Sequence, residues 1–347
     1  MSSVAGKFVH VPRELVGATN RRYRFKALLQ SRPFLGNVWV ATYVYVERRL
    51  AIADKGDRYG HREYVLKDIP EHIHDHFNQE IRPQLQYGSP NRLRLPIDTI
   101  PQRRIFVYEH LESDFLSLLR QRPSLDARRR ILRTSLEAIA DLHERDIVHL
   151  DVKPDNILVD HEQHDEGMTV ERVMLSDLEN AAHLPNGRRI QGMLAGSDVW
   201  RSVEAQLKGE LGKPTDMFSF GLVCIFAMCD KMVCEHDEDF QQFVSQGAEP
   251  LAVRLQRLVS YFGDKDSING LLTHVGDDET SCEILSLLWD ERHADYIPYK
   301  PFVEWPETQQ DEGFRDVITG LMNLDPKKRM TATQALMHPW FRLQERV

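Results

Sequence analysis

The densest set of reactive side chains lies in Ile147-Val148-His149-Leu150-Asp151-Val152-Lys153-Pro154-Asp155-Asn156-Ile157-Leu158-Val159-Asp160. Two carboxylates, a lysine and an asparagine fall in one loop between two apolar segments. Such a set suits phosphoryl transfer. That chemistry needs a carboxylate to accept a hydroxyl proton, an oxygen ligand for Mg²⁺, and a cation for the developing phosphate charge. A polar surface turn is the plain alternative reading of the same residues.

The elements that must hold this loop are legible around it. Upstream, Ala127–Arg145 carries Ile131, Leu132, Leu136, Ile139, Ala140 and Leu142 near the helical period. The first third is strand-like. Val38–Val46 is β-branched and aromatic, and the turn residues Lys55–Gly60 lead into Tyr64-Val65-Leu66-Lys67. A short helix is expected around Ile73–Leu85, ended or kinked by Pro83. A strand at Arg104–Tyr108 and a linker at Glu109–Glu112 follow. The run Phe218–Met228 has the length of a buried core helix, and no stretch approaches the ~18 apolar residues of a membrane span. The acidic run Glu235–Asp239 reads as a solvated loop. Strands first and helices after predict a two-lobed α+β molecule.

Composition narrows the class. At 347 residues with 41% hydrophobic and 28% charged residues, the chain is globular, not collagen-like, disordered or coiled coil. The net charge of −9, from 44 basic and 53 acidic residues, argues against nucleic acid as the main partner. Cys224, Cys229, Cys234 and Cys282 show no paired metal-binding spacing, which favours a reduced protein without structural zinc. The opening Met1-Ser2-Ser3-Val4-Ala5-Gly6-Lys7 lacks the apolar block of a secretory signal. An intracellular location, cytoplasm and/or nucleus, is the expectation.

The Asp151 loop resembles the protein-kinase catalytic loop His-Arg-Asp-x-Lys-Pro-x-Asn, and the likeness extends over roughly residues 22–342. It implies Asp151 as catalytic base, Lys153 as γ-phosphate contact and Asn156 as a Mg²⁺ ligand. A lysine two residues past the base is the serine/threonine form. Val173–Glu179 resembles the strand and Asp-Phe-Gly turn of the family, which makes Asp177 the second Mg²⁺ ligand. Gly196–Glu204 is similar to the end of an activation segment, Asp216–Gly221 to the start of the central buried helix, and Leu324–Arg329 and His338–Phe341 to the closing helices. The likeness implies that Glu204 pairs with Arg329 and that Asp216 braces the catalytic loop. Trp200–Glu204 and Asp177–Ala181 resemble the corresponding motifs of SR-protein kinases, with fungal kinase-like proteins as nearest kin. The implied organisation is an N-terminal extension at 1–21, a nucleotide-binding N-lobe at 22–111 and a catalytic C-lobe at 112–342.

Within the N-lobe, Lys67 resembles the strand lysine that holds the α/β-phosphates of ATP. Glu80 is chosen as its partner, with Glu71 as the fallback, because the gap is short and Pro83 follows closely. Val38 is aligned with the valine that covers adenine, which leaves Gly36 as the one surviving glycine of the phosphate loop. Pro33 has no N–H to offer there, so nucleotide affinity should suffer. Tyr108 stands as a bulky gatekeeper, and the backbones of Glu109 and Leu111 are implied to meet adenine. Glu179 replaces the glycine of the Asp-Phe-Gly turn, where it could ligate metal or simply hold the turn differently. The extra length between Asp151 and Asp177 falls in His161–Gly167, read as a hairpin tip with solvated histidines.

Three functions compete. An ATP- and Mg²⁺-dependent serine/threonine protein kinase keeps every group that transfer requires. A pseudokinase acting as a nucleotide-binding or scaffolding module draws on the eroded loop, Glu179 and Leu150. A small-molecule phosphotransferase is disfavoured by Glu204 and Arg329. Asp155 and the acidic surface lean toward basic peptide substrates. Leu150 stands where many kinases carry an arginine that grips a phosphorylated activation segment, and Leu178–Gly196 contains no serine, threonine or tyrosine. Activity independent of activation-loop phosphorylation is the expectation.

Overall fold

The computed structural model describes residues 14–32, 36–44, 62–85, 91–164, 167–295, 297 and 299–342. Pro33, the turn at 55–60, the hairpin tip residues Asp165 and Glu166, and the strand end at 45–46 lie outside the described residues, as do positions 1–13. The described residues form two compact units, one drawn from Met1–Gln79 and Arg94–Leu111, the other from Glu80–Leu93 and Glu112–Val347.

The first unit is built on one antiparallel sheet. Its strands are β1 (Glu14–Val16), β2 (Arg22–Arg32), β3 (Gly36–Val44), β4 (Glu63–Asp68), β5 (Asp98–Ile100) and β6 (Ile105–Glu109), in the order β1-β2-β3-β4-β6-β5. The sheet therefore begins before residue 22. Buried Asp98 ties the earlier segment down, accepting hydrogen bonds from Thr19 N at 3.1 Å and the Tyr23 hydroxyl at 2.9 Å. Strand alternation then sorts the side chains. Tyr23, Trp39, Ala41, Tyr64, Leu66, Ile100, Ile105 and Val107 pack on one face. On the other face Lys67 is the cross-strand partner of both Val38 and Phe106. Phe106 stacks on His74 at 5.0 Å, from helix α1 (Glu71–His76), and lies 5.2 Å from Phe77. Helix α1 passes through a π-turn, Phe77–Ile81, into α2 (Arg82–Leu85). The break thus precedes Pro83 instead of falling on it. Proline lacks an N–H and its ring strikes the carbonyl four residues back, and the wider turn removes both conflicts.

The second unit is mainly helical. β7 (Ser113–Asp114) joins the hairpin β9 (Ile157–His164) and β10 (Gly167–Leu175) in the order β10-β9-β7, while β8 (Ile147–Val148) pairs with β11 (Ala182–His183). Helix α3 (Phe115–Leu119) precedes α4 (Leu125–Glu144), which Ser124 caps by accepting from Ala127 N at 3.2 Å. Short α5 (Val203–Gln206) leads to α6 (Lys213–Cys229), the expected core helix, buried from Thr215 to Ile225. Six further helices close the unit: α7 (Glu238–Ser245), α8 (Pro250–Phe262), α9 (Lys265–Val275), α10 (Glu279–Asp290), α11 (Glu312–Leu321) and α12 (Ala332–Met337). The acidic run Glu235–Asp239 is not merely a solvated loop: Asp237 caps α7, and Glu238 and Asp239 lie in its first turn. Buried Arg257 donates to Asp237 Oδ1 at 2.6 Å and to the Glu235 carbonyl at 2.9 Å.

Glu204 and Arg329 form a fully buried pair with contacts of 2.8 and 3.0 Å. Thr215 Oγ1 donates to Glu204 at 3.0 Å, and Arg329 also caps the carbonyls of Pro214 and Asn323. Burial by itself pushes the Glu204 carboxyl up, but the Arg329 guanidinium outweighs it and holds the pKa below the ordinary 4.5. A depressed pKa contributes stability above the ordinary value, and that contribution fades as pH falls through the folded value. Arg329→Met is expected to cost about 3–5 kcal/mol at neutral pH, because Glu204 is left charged and buried. Urea unfolding should show that gap narrowing as pH falls, first as the unpaired, buried Glu204 of the variant takes up a proton above the ordinary carboxylate range, and further as the wild-type pair is lost below it.

Candidate active site

The catalytic-loop backbone is held from beneath by Asp216, at the first turn of α6 and 1% exposed. Its Oδ2 accepts from His149 N at 2.7 Å, its Oδ1 from Leu150 N at 2.8 Å, and His143 Nε2 lies 3.0 Å away. Leu150 adopts a left-handed conformation with φ of 67°. A leucine reaches that region at a cost of about 1–2 kcal/mol, and the two bonds to Asp216 hold the peptide groups that lead into the strained residue. His149, fully buried, accepts from Asp151 N at Nδ1 (3.2 Å) and donates from Nε2 to the Ser176 carbonyl (2.8 Å). Ser176 N and Oγ both donate to the Asn156 carbonyl, at 2.8 and 3.0 Å. The residue preceding Asp177 is thereby tied to Asn156.

Four side chains converge at the surface of this scaffold. Lys153 Nζ lies 2.8 Å from Asp151 Oδ2 and donates to Ser197 Oγ at 3.0 Å. Ser197 donates to Asp151 Oδ1 through its backbone N at 3.0 Å and its hydroxyl at 3.3 Å. Asn156 Nδ2 donates to the Asp151 carbonyl at 2.8 Å and to Oδ2 at 3.2 Å. The Asn156 amide therefore spends its N–H groups on Asp151 and keeps its oxygen for another partner. An amide oxygen and the Asp177 carboxylate are the hard donors that Mg²⁺ takes. Among the described residues no group of three His, Cys, Asp or Glu side chains could hold a metal ion, and His161 of the hairpin contacts Ser113 at 3.3 Å.

Asp177 is itself left-handed, φ 69° and ψ 40°, and a tight right-handed turn over Leu178–Asn180 follows it. Glu179 lies inside that turn, 2% exposed and without a positive φ. Conformational freedom is thus demanded of Asp177, and a glycine at 179 is not needed for the backbone.

Beyond this turn the segment is pinned by packing. β11 pairs with β8, Ile190 and Leu211 exchange backbone bonds of 3.1 and 2.7 Å, and Arg201 Nε donates to the Ala195 carbonyl at 2.8 Å. Leu150 joins Val148, Ala182, Ala195, Ala205 and Leu211 in one apolar cluster, with Leu184 and Ile190 against it. Gly196, φ 75°, passes so close that a Cβ would sit 2.7 Å from the Leu150 carbonyl oxygen. The motif marks His149 and Ser197 by position, but their bonds to the Asp151 N–H and carboxylate, and the part of Ser176 in tying Asn156, come from approaches that sequence does not show.

In the first unit Gly36 is left-handed, φ 84°, and a Cβ there would lie 2.6 Å from the Asp68 carbonyl oxygen. Val38 and half-buried Lys67 share one sheet face. Glu80 is exposed within the π-turn, and Glu71 is exposed 3.8 Å from Arg104. Tyr108 is 5% and Leu111 6% exposed, and Glu109 ends β6.

The protein kinase domain family model matches residues 51–341. Similar proteins include calcium/calmodulin-dependent protein kinase cmkA of Emericella nidulans, 25% identical over 211 residues, 61% of this chain and 38% of that protein. The liver/testis phosphorylase b kinase gamma catalytic chain of Bos taurus is 26% identical over 219 residues, 61% and 40% of the two chains. The serine/threonine-protein kinase/endoribonuclease IRE1a of Arabidopsis thaliana is 26% identical over 216 residues, 61% and 18%. The aligned part thus spans about two fifths or less of these curated relatives. The chain belongs to the protein kinase family, and its sheet unit and helical unit are those of the α+β two-lobed kinase fold.

Leu150→Ala should remove the centre of the apolar cluster at a cost of about 2–5 kcal/mol. Thermal unfolding with limited proteolysis checks it. The variant should melt lower and be cut faster between residues 184 and 195, and an unchanged melt would mean the cluster does not anchor the segment.

Proposed function

We propose that this chain transfers the γ-phosphoryl group of ATP, with Mg²⁺, to serine or threonine hydroxyls of proteins, without activation-segment phosphorylation. The observation that carries the reading is the Asp151–Lys153–Asn156–Ser197 cluster, held over buried Asp216. A hydroxyl approaching Asp151 would meet a carboxylate able to take its proton, with the Lys153 ammonium beside it to offset charge on the transferring group. Asn156 and Asp177 would hold Mg²⁺, which neutralises phosphate charge when bound. Gly36, Val38, Lys67, Glu109 and Leu111 are the proposed nucleotide contacts, with Glu80 as the ion-pair partner of Lys67. Glu80 must then leave its exposed position to serve.

Phosphorylation independence is supported by Leu150, which is packed among apolar residues of the segment where a receiving cation would otherwise stand. Exposed Asp155 supports basic peptide substrates, and kinship with SR-protein kinases rests on the Trp200–Glu204 motif. Four free cysteines favour an intracellular location, cytoplasm and/or nucleus, and no described helix is long and apolar enough to cross a membrane. The alternative, a nucleotide-binding scaffold without transfer, draws on the single glycine of the phosphate loop.

Asp151→Asn should lower turnover by roughly 10²–10⁴-fold while leaving nucleotide affinity nearly intact. Transfer of labelled phosphate to a basic peptide library, alongside calorimetric nucleotide binding, separates the two readings. No transfer by the wild-type protein would favour the scaffold, and equal transfer by both proteins would remove Asp151 as the base. A second measurement addresses regulation. Phosphatase treatment, with dephosphorylation confirmed by mass spectrometry, should change the rate by less than about tenfold, or 1.4 kcal/mol of barrier. A larger loss, restored by phosphate on Ser197 or Ser202, would overturn the independence.

A further inference from the structure

The backbone carbonyl of Glu109 accepts two hydrogen bonds from one guanidinium. Arg94 donates to it from Nη2 at 2.6 Å and from Nε at 3.2 Å. The same group lies over the Tyr108 ring, Cζ 5.0 Å from the centroid. Strand alternation explains the geometry. Ile97 N donates to the Val107 carbonyl at 2.9 Å on the β5 side, whereas His110 N donates to the Glu63 carbonyl at 3.3 Å on the β4 side. Glu109, two residues beyond Val107, turns its carbonyl to the side of β5, where the pairing reaches only Asp98 and Val107. Arg94, on the approach to β5, supplies two donors to that carbonyl.

The kinase reading assigns this carbonyl, with the backbone of Leu111, to the purine base, and a role for Arg94 in nucleotide choice rests on that reading. The 6-amino group of adenine is a donor and needs an acceptor. A carbonyl oxygen has two lone pairs, and here charged N–H groups, the stronger kind of donor, take both. A 6-oxopurine presents an acceptor at the same position, which a guanidinium can serve. We propose that Arg94 is a base-selecting residue: it withdraws the Glu109 carbonyl from the 6-amino group of ATP and makes the site accept 6-oxopurine triphosphates such as GTP and ITP on at least equal terms.

The test is calorimetric binding of ATP, GTP, ITP and purine riboside triphosphate, each with Mg²⁺, to the full chain. The last compound lacks the 6-amino group, so its affinity should match that of ATP in the wild-type protein. GTP and ITP should bind within about tenfold of ATP or tighter, tenfold being the worth of one ordinary hydrogen bond. Arg94→Ala should move the ATP-to-GTP preference toward ATP by about tenfold or more. Arg94→Lys, which lacks the planar fork, should fall between. A preference is a ratio, so general loosening of the sheet, the effect of a merely structural arginine, leaves it unmoved. If neither variant folds, the wild-type values decide alone. Wild-type preference for ATP over GTP beyond about tenfold overturns the proposal, and so does an unchanged ratio in folded Arg94→Ala. Failure of wild type and variant to bind any of the four nucleotides also overturns it, together with the assignment of Glu109 and Leu111. Binding of GTP without transfer to protein overturns the transferase reading and leaves this one standing. Transfer with ATP selectivity indifferent to Arg94 does the reverse.

Discussion

At the first turn of α6 a buried carboxylate takes two consecutive backbone N–H groups of the catalytic loop on its two oxygens, with an imidazole beside them. Leu150 is held in its left-handed conformation between the His149 and Leu150 N–H groups, which Asp216 takes, and the Asp151 N–H, which His149 takes. That twist turns Asp151 outward, and His149, held between the Asp151 N–H and the Ser176 carbonyl, carries the register on to the strand that ends at Asp177. Asp151, Lys153, Asn156 and Asp177 therefore inherit their positions in part from one buried side chain. Removing it would leave two buried backbone donors without partners, each costing about 1–3 kcal/mol.

The segment after Asp177 shows how one substitution changes the physics of an ordering problem. An arginine beside the catalytic aspartate is a buried charge in need of an anion. A leucine in the same place needs apolar neighbours, and Ala182, Leu184, Ile190, Ala195 and Leu211 supply them. Hydrophobic packing is non-directional and always present, whereas an ion pair with phosphate waits for a modification. The glycine matters as well as the apolar side chains, since the Leu150 carbonyl comes so near Gly196 that a Cβ there would lie 2.7 Å from its oxygen.

In the sheet unit the strand period does the positioning. Val38 and Lys67 are direct cross-strand partners, so the two residues proposed to meet a base and its phosphates fall on one face. The same period turns the Glu109 carbonyl toward Arg94. The edge expected to meet the nucleotide is thus already chemically biased by a side chain that periodicity alone does not single out.

Local pattern and motif determined much of this protein. The strands at Val38, Tyr64 and Ile105, the long helix over 127–144, the core helix after Asp216 and the Asp151–Asn156 loop follow from side-chain period and residue type. Those signals are local, and burial enforces them wherever the chain goes. Other features depended on contacts between residues far apart in sequence. The turn at Thr19 between β1 and β2 is held by Asp98, the π-turn shifts the break ahead of Pro83, Asp237 finds Arg257, and the left-handed residue of the turn is Asp177 and not Glu179. The tertiary structure alone decided that Ser197 sits on Asp151 and that Arg94 caps Glu109. In a linear sequence a serine or an arginine looks like any other solvated polar residue; a backbone carbonyl or carboxylate brought within 3 Å gives it a role, and only the folded chain places it there.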